Sequence, residues 1–112
     1  MLIAGFNIAG SGTKNLLIRG VGPGLNQFGL TGTLADPRIQ IYDAANTVVA
    51  SNDNWNGSLA ATFSSVGAFS LPANSRDAAV GVALRAGASY TVVVSGTDGG
   101  TGEALVEVYE LP

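Results

Sequence analysis

The chain contains no histidine and no cysteine. Without imidazole there is no side chain that ordinarily changes charge near neutral pH, and no Ser–His or Cys–His pair to activate a nucleophile. Without a thiol there is no disulfide, no thiolate nucleophile and no zinc–thiolate site. Positive charge is also scarce. Lys14, Arg19, Arg38, Arg76 and Arg85 are the five bases; they form no run, and the net charge is −3. A nucleic-acid surface needs clustered cations to displace counterions, so nucleic acid is not an expected partner, nor is an anionic membrane. No apolar run approaches the roughly 18 residues of a membrane span, and the start of the chain lacks the pattern of a secretory signal. Strand-like sequence begins at Leu2, so the expectation is a module related to, or cut from, a larger secreted protein.

What is present points to one β-domain. The chain has 112 residues, 46% apolar and 12% charged, enough to bury a core and too apolar for disorder. Sixteen glycines fall between short Val/Ile/Leu runs at intervals of about ten residues, the punctuation of a many-turned β-protein. Residues 2–9, 38–43 and 77–84 alternate apolar and small or polar side chains with the period of a strand. Residues 14–21, 47–51, 89–95 and 103–110 add further strands, and 68–71 a short one. The expected pairings are hairpins joining 2–9 to 14–21, 38–43 to 47–51 and 89–95 to 103–110. Pro23 followed by Gly29 marks a short helical turn. Leu59, Phe63 and Val66, capped by Asn56 or Ser58 and ended by Gly67, form the one convincing helix. The fold class is therefore all-β: an antiparallel β-sandwich, jelly-roll-like, with seven or eight strands and one short helix.

Catalysis would have to rest on carboxylates alone, as in glycoside hydrolysis; a small hydrolase of that kind is a third reading and would need two acids facing each other in a cleft, but the chain reads as not an enzyme. Residues 20–24 (GVGPG) and 10–14 (GSGTK) suggest phosphate loops but lack a Gly-Lys-Ser/Thr run opening a helix. Lys14 opens a strand and Pro23 removes an amide donor, so these are turn glycines. Residues 49–58 (VASNDNWNGS) hold the single tryptophan among amide and carboxylate oxygens. Two readings stand. Asp53, with an amide beside it, Asp43 from the preceding strand end, and Asp36 and Asp98 joining from other loops, would offer Ca2+ some of its six to eight oxygens; or Asn and Asp bond their own backbone in a turn. Trp55 likewise either stacks on a sugar ring, with Tyr42 and Asn54 as fellow ligand-binding residues, or covers the end of the core.

The segments at 36–43 (DPRIQIYD), 48–54 (VVASNDN) and 87–96 (GASYTVVVSG) resemble the paired strands and closing strand of bacterial pre-peptidase C-terminal-type domains. Over nearly the whole chain, LIRGVGPGL at 17–25 with LADP at 34–37, NDNW at 52–55 and ALVEVY at 104–109 is similar to modules of large secreted bacterial proteins, often repeated or set beside immunoglobulin-like domains. The resemblance implies an extracellular, accessory, jelly-roll-like module. It also implies calcium held by loop acids in some members, with Asp43 and Asp53 the matching positions. Asp53-Asn54 stands where that family often has Asp-Asp.

The resulting expectation is a non-catalytic structural or adhesive module, extracellular or on a bacterial cell surface, with neighbouring modules or identical subunits as partners. The alternative is a module that binds glycans, with or without calcium. Residues 2–9 carry no charge, so at a sheet edge they would invite another strand. Glu103, Glu107 and Glu110 would guard the last strand.

Overall fold

Residues 16–21 (LLIRGV) are apolar on both faces but for Arg19, and a strand built from them is best covered on both sides. The structure, a computed structural model describing residues 1–112, satisfies this demand. Its strands are β1 (Leu2–Asn7), β2 (Thr13–Val21), β3 (Pro37–Tyr42), β4 (Val48–Asn52), β5 (Ala78–Arg85), β6 (Ser89–Gly96) and β7 (Leu105–Glu110). They form a four-stranded sheet, order β1-β6-β3-β4, and a three-stranded sheet, order β5-β2-β7. Every neighbouring pair is antiparallel. The fold class expected from the sequence is the one found: an all-β sandwich with one short helix.

The pairing differs from expectation in two of three hairpins. Only β3 and β4 form a hairpin, closed by Asp43 N donating to Thr47 O. β1 pairs with β6 and not with β2, and β7 pairs with β2 and not with β6. At both places a glycine-rich link carries the chain from one sheet to the other. Gly10 (φ 102°) and Gly12 (φ 77°) turn the first link, and Gly99 (φ 78°) and Gly102 (φ 158°) the last. Gly102 admits no side chain, because a Cβ there would lie 2.6 Å from Leu34 N. Residues 68–71 form no strand; the carbonyls of Phe69 and Ser70 accept instead from the Arg19 and Gln27 side chains.

Two apolar clusters hold the layers together. Between the sheets, Leu16, Ile18, Ile39, Ile41, Val92 and Val94 are buried in the main core. On the outer face of the three-stranded sheet, Leu17, Val21 and Ala79 are buried under Leu25, Phe63 and Leu71. The 3₁₀ turn Pro23–Phe28 and the crossover from β4 to β5 supply that cover, and so both faces of β2 are dry. The crossover contains a 3₁₀ turn, Gly57–Leu59, and α1 (Ala60–Ser65). Asn56 caps it by accepting from Ser58 N at 2.9 Å, and Gly67 (φ 71°) ends it. Leu59, Phe63 and Val66 face the second cluster as their spacing predicts. Of the small residues on the outer face of β5, Ala79 is covered, whereas Gly81 and Ala83 stay exposed.

Candidate functional site

The tryptophan segment is built into a hydrogen-bonded chain that ends in the glycine loop. The half-buried Trp55 indole donates Nε1–H to Ser75 Oγ at 3.1 Å, and Ser75 Oγ–H donates to Asp77 Oδ2 at 2.6 Å. The other oxygen of Asp77, Oδ1, accepts from Gly22 N at 2.7 Å and Gly24 N at 3.0 Å. Asp77 is fully buried, and its backbone carbonyl accepts from Trp55 N at 2.9 Å. The GVGPG loop thus forms an anion-binding nest of backbone amides, and a carboxylate of the same chain fills it. The ring of Trp55 lies against Phe63, centroids 5.1 Å apart.

The other residues assigned to a ligand do not join it. Trp55 belongs to the cluster outside the three-stranded sheet. Tyr42 alternates with the buried Ile41 on β3, which puts it on the outer face of the four-stranded sheet, its hydroxyl 3.4 Å from Gln40 Oε1. The two rings therefore sit on opposite sides of the sandwich. Asn54 is exposed.

The two metal-ligand candidates are also apart. Asp43 organises the β3–β4 turn: Oδ1 accepts from Ala45 N and Thr47 N, both at 2.9 Å, next to Asn46 at φ 62°. Asp53 follows the far end of β4, about 20 Å away by strand rise, and accepts from Thr97 Oγ1 at 2.8 Å. Its neighbour is Asp36, whose Oδ1 is buried without a hydrogen-bond partner and whose Oδ2 lies 3.8 Å from the exposed Arg76. Burial, then the contact with Asp53 and its charge, hold the Asp36 carboxyl above its ordinary value; Arg76 opposes this and Asp98 adds to it. When both acids are ionised they have no proton to share, so the contact is a hydrogen bond only while one is protonated. No three acidic side chains gather into a group able to hold a metal ion.

A buried ion pair was not anticipated from the sequence. Arg19 is fully buried on the outer face of β2, its guanidinium 4.7 Å from the Phe63 ring centroid and 4.5 Å from that of Phe69. Nε donates to Glu107 Oε1 at 2.9 Å and Nη1 donates to Phe69 O at 2.7 Å. Nη2 lies 2.8 Å from the same Glu107 oxygen, but at an angle that leaves it without a well-aligned hydrogen bond. Tyr109 donates to Glu107 Oε2, and burial together with that bond raises the phenol above its ordinary value. Glu107 is therefore a partner for Arg19 and no guard of the edge. Glu103 precedes β7, its backbone bonded to Gly32 and Leu34, so Glu110 alone guards that strand.

Four strands lie at sheet edges. β5 carries Arg85 and β7 carries Glu110, 61% exposed and 3.1 Å from Lys14 Nζ. The edges of the other sheet, β1 and β4, carry no charged side chain. On β1, Leu2 and Ile3 are exposed, Ile3 by 60%; on β4, Val48 and Val49 are exposed. No family model matches the chain, and no curated protein and no solved structure matches it.

Proposed function

We propose that this chain is a non-catalytic structural or adhesive module of a secreted or cell-surface bacterial protein, and that it associates with neighbouring modules or identical subunits through the free side of β1. The observation that carries the reading is the β1 edge: paired on one side only, uncharged and presenting Leu2 and Ile3 to water. An edge of that kind is a ready template for a further strand unless lysine, proline or a bulge blunts it. β1 has none of these.

Support for a glycan-binding, calcium-assisted module is weaker. Its indole is tied to Ser75 and packed on Phe63, its second aromatic lies on the other face, and its two acids are far apart. The extracellular address rests on the sequence resemblance alone. Sedimentation equilibrium across a wide concentration range tests the association. The wild-type chain is expected to form reversible oligomers and the Ile3→Lys variant, altered at an exposed position, to remain monomeric with an unchanged melting temperature. A wild-type chain that stays monomeric at millimolar concentration refutes the reading.

A further inference from the structure

We propose that β1 pairs with β1 of a second copy of this chain, antiparallel about a two-fold axis at Gly5, so that each copy's Leu2 enters an apolar cleft of the other. This rests on the edge association proposed above and names its partner and register.

The edge is within reach because the two sheets are offset. β5 packs against β4 and β3, and β2 against β3, so the three-stranded sheet leaves β1 projecting past β7. The main-chain groups of β1 point alternately to β6 and away from it. Ile8 N donates to Ala88 O, and Ile8 O accepts from Gly87 N, both on the β6 side. By the alternation of an antiparallel strand, Leu2, Ala4 and Phe6 also bond to β6, and Ile3, Gly5 and Asn7 turn their N–H and C=O groups to the free side.

The side chains make the edge complementary to itself. Leu2, Ala4 and Phe6 stand opposite the buried Val94, Val92 and Tyr90, so all three face the other sheet. The two ends of that face differ. At one end Phe6 and Ile8, with Leu16 and Val108, line a cleft open to solvent, and Val108 is 39% exposed. At the other end Leu2 projects, 38% exposed. A copy of β1 turned end for end sets Leu2 beside Ile8 and Ala4 beside Phe6, a projecting side chain at the cleft and a small one against a ring. The two-fold axis repeats both contacts. β4, the other uncharged edge, offers no such side chain: Ala50 and Asn52 stand on its inner face, and its register shifts at Ile41/Tyr42.

Register follows from the same pattern. Neighbours across an antiparallel pair share a face, so even-numbered residues must meet even-numbered ones. Centring the pair on Gly5 uses all of residues 2–8, with Ile3 beside Asn7, and a shift of two residues in either direction shortens it. The paired residues are uncharged, and the charges at the rim of the cleft, Lys14 and Glu110, already neutralise each other at 3.1 Å. A contact closed by a two-fold axis stops at the dimer.

Because the chain has no cysteine, engineered thiols report this contact alone. Ile3 and Asn7 are both exposed, and as cross-strand neighbours their Cβ atoms would be about 5 Å apart, close to disulfide distance. Each would lie about 13 Å along the strand from its own counterpart. Under mild oxidation at a concentration where the wild type associates, an equal mixture of Ile3→Cys and Asn7→Cys is expected to give covalent dimers, and neither variant alone to give any. The double variant Ile3→Cys/Asn7→Cys is expected to give covalent dimers and nothing larger. Leu2→Ala is expected to weaken dimerisation about tenfold or more, since each dimer loses two buried side chains. Covalent dimers from Ile3→Cys alone, a ladder from the double variant, an unchanged dimer in Leu2→Ala, or no cross-links in a chain that still sediments as oligomers would each overturn the two-fold pairing while leaving association through β1 intact. Absence of both cross-links and oligomers would remove the edge association with it.

Discussion

At the scale of single residues, the polar groups that matter most are turned inward. Asp77 satisfies two buried amides and a hydroxyl at once. Replacing it by alanine strands the Gly22 and Gly24 amides without a partner, at about 1–3 kcal/mol for each buried group left unsatisfied. Asp77→Ala is therefore expected to lower unfolding free energy by about 3 kcal/mol in urea titrations, and to alter Trp55 fluorescence as the Ser75 link loosens. Arg19 and Glu107 obey a related rule. Removing one partner leaves an uncompensated buried charge, at about 3–5 kcal/mol, whereas an apolar pair of similar volume is often tolerated. Glu107→Leu is expected to cost that amount, and Arg19→Met/Glu107→Leu to cost less than the sum of the two single changes, a coupling read from a double-mutant cycle. Asp36 gives a pH-dependent case. Its folded-state pKa is raised, so the folded chain holds the proton more tightly than the unfolded one. That contribution is complete below the unfolded value of 3.8 and is lost as pH rises through the higher folded value. Asp36→Asn, which supplies a permanent donor to Asp53, is expected to raise the melting temperature at pH 7 and to leave it nearly unchanged below about pH 4.

At the scale of elements, the sequence was legible where the information is local. The β3–β4 hairpin, the Pro23-to-Gly29 turn and the capped helix with Leu59, Phe63 and Val66 on one side each follow from a few adjacent residues. The partners of β1 and β7 were not legible, because alternation reports which face a residue occupies and says nothing of which strand lies beside it. Glycine clusters after β1 and β6 read equally well as hairpin turns or as crossings between sheets. A signal was nevertheless present. The run at 16–21, apolar but for Arg19, marked a strand covered on both faces, and an arginine inside it called for an acid set among apolar residues, as Glu107 is between Val106 and Val108. The candidate site was legible in part: Asp43 and Asp53 are near in sequence but a strand separates them, whereas Asp36, one of the loop acids expected to join Asp53, does meet it through tertiary structure. The nest behind β2 gives a test at this scale. A Cβ on Gly22 would lie 2.1 Å from Leu34 O, and a backbone atom cannot give way as a side-chain tip can. Gly22→Ala is expected to cost about 2 kcal/mol or more, in the range of overpacked interiors, where Gly81→Ala, which meets nothing within 4 Å, changes stability by a few tenths at most.

At the scale of the whole molecule, the two sheets treat their edges differently. The three-stranded sheet ends in Arg85 on one side and Glu110 on the other; the four-stranded sheet ends in two uncharged strands with exposed Leu2, Ile3, Val48 and Val49. Proteins that must stay separate blunt such edges with charge, so the uncharged pair is consistent with a sheet built to be extended. The most direct measurement is amide hydrogen exchange of β1 as a function of protein concentration. The outward-facing amides of β1 should exchange rapidly in dilute solution and become protected as concentration rises, while β6, already paired on both sides, stays protected throughout. Exchange of the β1 amides at one rate over the whole concentration range would contradict the proposal that this edge is where copies meet.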